Sequence, residues 1–161
     1  MREIPTTYDQ SKESEIYKLW EESGFFNPDN LEGEPFTIIM PPSNANVQVH
    51  VGHALGFTLQ DIMIRYQRMC GRKTLYLPGT DHAGFETQVV FEKKLDKEGR
   101  SRFQMTREEF YQETWDFVQH NKQITEDSIR RLGISCDWSR NMFTLDPRVI
   151  KVVYGDRKSV V

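Results

Sequence analysis

The sequence contains little cysteine and no long hydrophobic run, and each absence excludes a class of protein. Its two cysteines, Cys70 and Cys136, cannot by themselves make a disulfide framework or a zinc site. No stretch approaches the roughly 20 consecutive apolar residues that span a bilayer, and the first residues lack the apolar core of a secretory signal. We therefore expect neither a membrane protein nor a secreted mini-protein, and we predict a reducing, cytoplasmic location.

An excess of basic charge is missing as well. The 21 lysines and arginines are outnumbered by 24 aspartates and glutamates, so the basic footprint of a free-standing nucleic-acid binder is absent. Neither a Gly-x-Gly-x-x-Gly sequence nor a Walker loop occurs, and nicotinamide and P-loop chemistry lose support. There are no internal repeats, and the 161 residues match the size of one ordinary domain.

The apolar residues present predict a strand, a helix and a second strand in succession. Phe36–Met40 is a short β-branched run, typical of a strand buried on both faces. Lys73–Leu77 predicts the next strand, and this succession implies a right-handed parallel crossover. The intervening helix, from about Val51 to Met69, is predicted from an apolar stripe at helical spacing: Val51, Ala54, Leu55, Thr58, Leu59, Ile62, Tyr66 and Met69.

Other segments also follow the helical rhythm. Helices are predicted over 87–97 and over 106–131, where Thr106–Glu109 forms a capping-box pattern, and residues 149–154 could begin another. A helix over 11–23 is predicted from three residues on one stripe: Ile16, Leu19 and Trp20. No strong linker divides the chain, so we predict one α/β unit that follows an N-terminal helical arm.

A four-residue sequence, His50–His53, is the sharpest chemical feature. It opens the helix that follows the first strand, and helix N-termini favour phosphate because their N–H groups are unpaired. Two imidazoles at i and i+3 could donate hydrogen bonds to a phosphoryl group as its charge grows. Gly52 between them lets a flat ring approach the backbone. The alternative is two surface histidines beside a helix start.

A second polar sequence, Gly79–Gly84, follows the second strand. Ligands of open α/β sheets bind at the carboxyl ends of the strands, so this loop and His50–His53 are expected at one edge. Asp81 has the acceptor-only chemistry that suits a cationic ammonium. In the alternative interpretation, Asp81 caps the helix that follows.

Weaker candidates are expected to be structural. His120 is predicted at the surface, both cysteines are predicted to be unreactive, and Asp137–Trp138 is predicted to be a structural loop. The aromatic-rich segment of the long helix is predicted in the core through Phe110, Trp115, Phe117 and Val118. A modest basic patch is predicted to be solvated, with phosphate contact as the alternative: Arg65, Arg68, Arg72 and Lys73.

Taken together, these stretches resemble the class I aminoacyl-tRNA synthetases. Phe36–His53 is similar to the first signature sequence of that family, and Ile64–Met69 with Gly79–Gly84 is similar to its valine-specific members. Leu132–Arg140 and Phe143–Asp146 continue the similarity, which covers residues from about 7 to 154. The resemblance implies the first half of a class I synthetase Rossmann-like nucleotide-binding fold, a parallel sheet with crossover helices.

The family's reaction assigns roles to the histidine sequence. Class I members of this kind activate valine with ATP to valyl-adenylate and pyrophosphate, and then transfer valine to tRNA(Val). The resemblance implies that His50 and His53 contact the ATP phosphates and stabilise the transition state at the α-phosphate, with Gly52 under the adenine. Magnesium would accompany ATP as substrate; no structural metal, protein partner or membrane is implied.

The amino-acid side of the site is implied in the same way. Pro42 would shape the valine pocket, Asn44 would line the same loop, and Asp81 would hold the α-ammonium of valine. Two departures from the family's usual sequence stand near these positions. Ala45–Val49 replaces a loop that more often contains glycine, and Phe85-Glu86 places a charge close to Asp81.

Much of the family's usual enzyme is absent from these residues. The second half of the nucleotide fold with its Lys-Met-Ser-Lys-Ser loop, the editing domain and the anticodon-binding domain are not present, so we predict that this fragment is inactive alone. We expect an N-terminal arm and helix at 1–34, the first half of the catalytic domain at 35–154, and a non-native tail at 155–161, which resembles a translated sequencing adapter. The alternatives are a small His-x-Gly-His nucleotidyltransferase and a non-catalytic synthetase-like binding paralogue.

Overall fold

In the computed structural model, residues 6–159 are described, and they form five helices and five short strands. The helices are α1 (Glu13–Glu22), α2 (Val51–Met69), α3 (Gly84–Lys97), α4 (Arg107–Arg131) and α5 (Pro147–Ser159). The strands are β1 (Pro35–Ile39), β2 (Ser43–Asn44), β3 (Lys73–Leu77), β4 (Gly79–Asp81) and β5 (Met142–Phe143). Within the described part of the chain, no helix is both long and apolar enough to cross a membrane.

Every strand pairing is parallel, as the crossover pattern predicts. β1 pairs with β3, with Phe36 opposite Thr74. β2 follows β1 and β4 follows β3 along the chain, and β2 pairs with β4. β5 pairs with the other edge of β4. The predicted α/β class with a parallel sheet and crossover helices is therefore confirmed.

Strand β1 differs from its prediction, because only one of its faces is covered. Phe36 and Ile38 pack against the core, while Thr37 and Ile39 point to the opposite face, where Ile39 is 69% exposed. A strand buried on both faces needs a layer on each side of the sheet. The described residues supply α2 and the core on one side only, so the apolar run is half exposed.

Helix α2 has the predicted bounds, but it buries a different row of residues. Its buried side chains are Phe57, Asp61 and Ile64, whereas Leu55 and Leu59 of the predicted stripe are 62% and 54% exposed. The helix carries apolar residues on two faces, and the face toward the sheet contains an aspartate. A prediction from apolar periodicity assigns a row of residues that contains a carboxylate to the solvent side. The prediction therefore selected the wrong face of α2.

The main core lies between α2, the β1–β3 pair and the segment after α4. It is composed of Met40, Phe57, Ile64, Tyr76, Ile129, Ile134 and Cys136. A second cluster joins Ala45 and Phe143 to Val118 on α4, with Trp115 and Phe117 packed against it, which confirms the predicted core role of the α4 aromatics. Burial raises the pKa of the Cys136 thiol above its ordinary value, and this keeps the sulfur in its unreactive neutral form.

The N-terminal arm docks on this core through one tyrosine. Tyr17 is the buried residue of α1; its hydroxyl donates to the Ile134 carbonyl and accepts from Trp138 Nε1. The predicted stripe of Ile16, Leu19 and Trp20 is largely exposed instead. Tyr17 was missed because the prediction selected residues without a hydroxyl group. A buried tyrosine needs hydrogen-bond partners for its hydroxyl, and here they come from 117 and 121 residues away.

The remaining helix predictions differ from the structure only at their ends. Thr106 and Glu109 form the predicted capping box at the start of α4, while α3 begins at Gly84, three residues before the prediction. Helix α5 runs from Pro147 through Ser159 and includes backbone assigned to the predicted non-native tail. The origin of that tail and the division at 34 and 154 stay predictions; residues 1–5 and 160–161 lie outside the described residues.

Candidate active site

Two of the predicted site segments lie on adjacent strands. In the β2–β4 pair Asn44 stands opposite Asp81, and the Ala45 N–H donates to the Asp81 carbonyl at 2.8 Å. These short strands extend the carboxyl ends of β1 and β3, the position where parallel α/β sheets bind ligands. The structure therefore brings together Asn44 and Asp81, two residues that the resemblance assigns to the amino-acid site.

A small apolar cavity of about 190 Å³ opens beside β4 and β5. Its walls include Met40 and Pro42 after β1, Thr80 on β4, and Phe143 and Thr144 at the end of β5. Pockets for small ligands combine apolar walls with a few placed polar groups. This cavity can accommodate a short aliphatic side chain, and Pro42 lies in its wall.

The carboxylate of Asp81 is held by one of its two oxygens. Asp81 Oδ1 accepts from the Ala83 N–H at 3.0 Å and from the Thr144 hydroxyl at 3.1 Å. No group of the described residues donates to Oδ2, which leaves that oxygen as an acceptor for a cation. The alternative prediction, that Asp81 is the N-cap of the next helix, is wrong: the N-cap of α3 is Ala83, which makes no side-chain capping bond.

Two residues of this cluster were missed by the sequence analysis. His82 and Thr144 are joined through the Thr144 hydroxyl, which lies 2.9 Å from the His82 nitrogen of the main chain and 2.6 Å from His82 Nδ1. Phe143–Asp146 was recognised as a family-like stretch, but nothing in it indicated which side chain reaches β4. The 62-residue separation between His82 and Thr144 is closed only by the β4–β5 pairing.

The two histidines at the start of α2 form a capping box for that helix. His50 is the N-cap, and its Nδ1 accepts from the Gly52 N–H at 3.1 Å, while His53 Nδ1 accepts from the His50 N–H at 3.4 Å. The two rings stack with centroids 3.9 Å apart. A nitrogen that accepts from N–H carries no proton, so these bonds assign the neutral ring proton of both histidines to Nε2.

The protonation state of His53 follows from its surroundings. Partial burial, followed by the neighbouring His50, lowers the pKa of His53 below its ordinary value. The ring also stacks on Phe57, with centroids 6.0 Å apart. His53 is therefore neutral near pH 7 and offers one N–H, from Nε2, to a phosphate. Capping and phosphate contact are compatible, because they use opposite nitrogens of each ring.

Gly52 provides a test of this capping geometry. A Cβ added at Gly52 would lie 3.0 Å from Cε1 and 3.1 Å from Nδ1 of His50, whereas a Cβ at Gly56 of the same helix meets nothing within 4 Å. We expect Gly56→Ala to raise the free energy of unfolding by about 1 kcal/mol, the ordinary helix-propensity gain. Gly52→Ala is expected to lose that gain, because it displaces the His50 ring from its cap.

Urea-induced unfolding of the two alanine variants beside the unsubstituted chain measures this difference. The Gly56 variant is the matched control, since both changes add one methyl group to α2. Equal stabilisation by the two substitutions would contradict a capping role for the His50 ring.

The other sequence candidates have structural roles. Arg65 and Arg68 of the predicted basic patch are partly buried. Arg65 donates hydrogen bonds to Asp61 and to the Gly133 carbonyl. Arg68 donates hydrogen bonds to the side chains of Thr74 and Ser135. The prediction of a solvated patch is wrong for these two arginines, because each has fixed partners within the fold. His120 is exposed as predicted, and the Asp137–Trp138 loop is structural as predicted: Asp137 bonds to Ser139 and Arg140, and Arg130 lies 4.0 Å over the Trp138 ring.

The parallel strand pairing and the crossover helices define an α/β domain of the Rossmann-like kind. A family model described as tRNA synthetases class I (I, L, M and V) matches residues 15–156, and the chain belongs to this family. Within the family, its relatives are valine–tRNA ligases. Those of Arabidopsis thaliana (chloroplastic/mitochondrial 2) and Carboxydothermus hydrogenoformans are 49% and 48% identical to it over 94% and 89% of this chain.

These comparisons cover only part of each relative. The chain spans 16% of the length of both proteins, about one sixth of the curated relatives that it matches. The fold is also similar to that of a leucine enzyme, Agrobacterium radiobacter K84 LeuRS in a ternary complex with tRNA and LeuAMS. That match has a TM-score of 0.74 at 20% identity and covers 95% of this chain and 18% of LeuRS. The predicted resemblance is confirmed, and the relatives favour it over a small nucleotidyltransferase.

Proposed function

We propose that this chain is the part of a valine–tRNA ligase that holds valine and the phosphates of ATP during formation of valyl-adenylate. The longer protein would then transfer valine to tRNA(Val). The single observation that carries the proposal is the hydrogen bond between the Asp81 carboxylate and Thr144, a residue in the wall of a small apolar cavity at the carboxyl ends of the strands. An acceptor next to an apolar pocket is complementary to an ammonium next to an aliphatic side chain.

The amino-acid half of the site follows from these contacts. Asp81 Oδ1 is occupied by two donors, so Oδ2 would accept from the α-ammonium of valine. The isopropyl group would then enter the cavity, whose wall is formed in part by Pro42 and Thr80. Asn44, opposite Asp81 on β2, supplies a further polar side chain at the same edge.

The ATP half of the site is supported by the start of α2. Unpaired N–H groups give a helix N-terminus partial positive charge, and phosphate is the anion that such ends favour. The Nε2–H groups of His50 and His53 would add two donors, aimed at charge that grows on the α-phosphate when the valine carboxylate attacks. Magnesium would arrive with ATP as part of the substrate.

Valine binding to the purified chain tests the amino-acid site. We expect Asp81→Asn to weaken valine binding about tenfold or more, because a hydrogen bond to a charged partner contributes roughly 1.5–3 kcal/mol. Asp96→Asn, at an exposed position of α3, is the matched control and should leave the affinity unchanged. Isothermal titration calorimetry measures the valine affinity of the unsubstituted chain and of the two variants.

Two results would overturn the proposal. One is the absence of measurable valine binding by the unsubstituted chain, and the other is equal affinity in the Asp81 variant. That the chain alone is inactive stays a prediction, which valine-dependent exchange between ATP and pyrophosphate measures. Its cytoplasmic location stays a prediction as well.

A further inference from the structure

The hydroxyl of Thr144 contacts three polar groups of the proposed amino-acid site. It lies 3.1 Å from Asp81 Oδ1, 2.9 Å from the main-chain nitrogen of His82 and 2.6 Å from His82 Nδ1. We propose that Thr144 is a positioning residue for the bound amino acid, which acts by fixing the rotamer of Asp81 and the tautomer of His82. The inference rests on the proposed function, since it concerns the same carboxylate.

The number of protons available decides how this cluster is bonded. A threonine hydroxyl has one hydrogen to donate and two lone pairs to accept with. The His82 N–H of the main chain occupies one lone pair. If the hydroxyl donates to Asp81, the second lone pair must accept from a protonated His82 Nδ1. Only this arrangement satisfies all three contacts, and it assigns the neutral His82 ring to the Nδ1–H tautomer, with Nε2 bare.

The position of Thr144 is itself fixed by the sheet. Its N–H donates to the Thr80 carbonyl at 3.1 Å, which continues the β4–β5 ladder past Phe143. The His82 ring meets the Phe143 ring edge-on, with centroids 6.4 Å apart. The hydroxyl is therefore presented to Asp81 by rigid backbone rather than by a free loop, which is the arrangement that holds a binding group in one geometry.

The consequence for the ligand is a single orientation of the carboxylate. With Oδ1 bound to Thr144 and to the Ala83 N–H, rotation of the Asp81 side chain would break two hydrogen bonds. Oδ2 is then the oxygen that remains for the ammonium. Without the hydroxyl, Oδ1 keeps the Ala83 N–H and a longer contact of 3.4 Å with His82 Nδ1, so the carboxylate has more freedom to rotate away from the cavity.

The test compares Thr144→Val, which removes the hydroxyl at nearly constant shape, with Thr144→Ser, which keeps it. We expect valine binding to weaken about tenfold in the valine variant, as for loss of one hydrogen bond to a charged group, and to be restored in the serine variant. Thr125→Val is the matched control, because it makes the same change at a buried α4 hydroxyl that has no hydrogen-bond partner among residues 6–159.

Two further readouts separate positioning from a merely structural effect. In an Asp81→Asn background, Thr144→Val should change valine affinity by less than about twofold, because both residues act through one interaction. Nitrogen-15 NMR of the His82 ring, which needs no ligand, should show the Nδ1–H tautomer in the unsubstituted and serine proteins.

The outcomes distinguish this inference from the proposed function. Normal valine binding by Thr144→Val, or an Nε2–H tautomer of His82 in the unsubstituted chain, overturns the role of Thr144 while the proposed function stands. Failure of the unsubstituted chain to bind valine overturns the proposed function and with it the role of Thr144 toward valine. Serine rescue, non-additivity with Asp81 and the expected tautomer together support the inference.

Discussion

Replacing Asp61 by alanine is expected to lower the free energy of unfolding by about 3 kcal/mol, because it leaves buried partners without their acceptor. Asp61 Oδ1 accepts from the Ser135 N–H at 2.8 Å and from the Ser135 hydroxyl, and Oδ2 accepts from Arg65 Nε at 2.6 Å. The carboxyl side chain is only 7% exposed. The two bonds to Ser135 attach α2, which carries the histidine cap at its start, to the segment after α4.

Urea-induced unfolding followed by circular dichroism measures this loss. Asp96→Ala is the matched control, since Asp96 is an exposed aspartate of another helix and its removal should change stability by less than about 0.5 kcal/mol. A similar small change for both variants would show that Ser135 and Arg65 find other partners, and that the Asp61 network does not hold α2 in place.

Truncation of Ile64 is expected to cost about 3 kcal/mol, whereas the same truncation of Leu59 costs less than about 1 kcal/mol. Ile64 is 0% exposed in the core cluster with Phe57 and Tyr76, so Ile64→Ala removes buried methyl groups and leaves a cavity. Leu59 lies on the outer face of the same helix and is 54% exposed. The difference decides which face of α2 packs on the sheet.

Both alanine variants are measured in the same unfolding experiment, and each is the control for the other. They remove similar amounts of aliphatic side chain from one helix and differ in burial. A larger loss for Leu59→Ala than for Ile64→Ala would restore the stripe predicted from the sequence and would contradict the packing of α2 described above.

Local features of this chain were predictable because their causes are local. The bounds of α2 follow from turn residues and apolar spacing, and the start of α4 follows from the capping box of Thr106 and Glu109. The parallel pairing of β1 and β3 follows from a strand–helix–strand order, because a helix between two strands carries the chain back to the same end of the sheet.

The buried face of α2 was not predictable in this way. Two rows of the helix are apolar enough to face a core, and the row that does so includes Asp61. Its burial depends on Ser135, 74 residues further along the chain, whose N–H and hydroxyl compensate the lost hydration of the carboxylate. A pattern of hydropathy within one helix contains no information about such a partner.

The sequence by itself determined the class of fold and the family resemblance, and it predicted His50, His53 and Asp81 as site residues, because short motifs and helix signals depend only on neighbouring residues. Only the tertiary structure decided which oxygen of Asp81 remains free and which residue holds the other. Thr144 reaches that carboxylate from 63 residues away, by the pairing of β4 with β5. Contacts between distant residues depend on how strands and helices pack, and packing is a property of the folded chain as a whole.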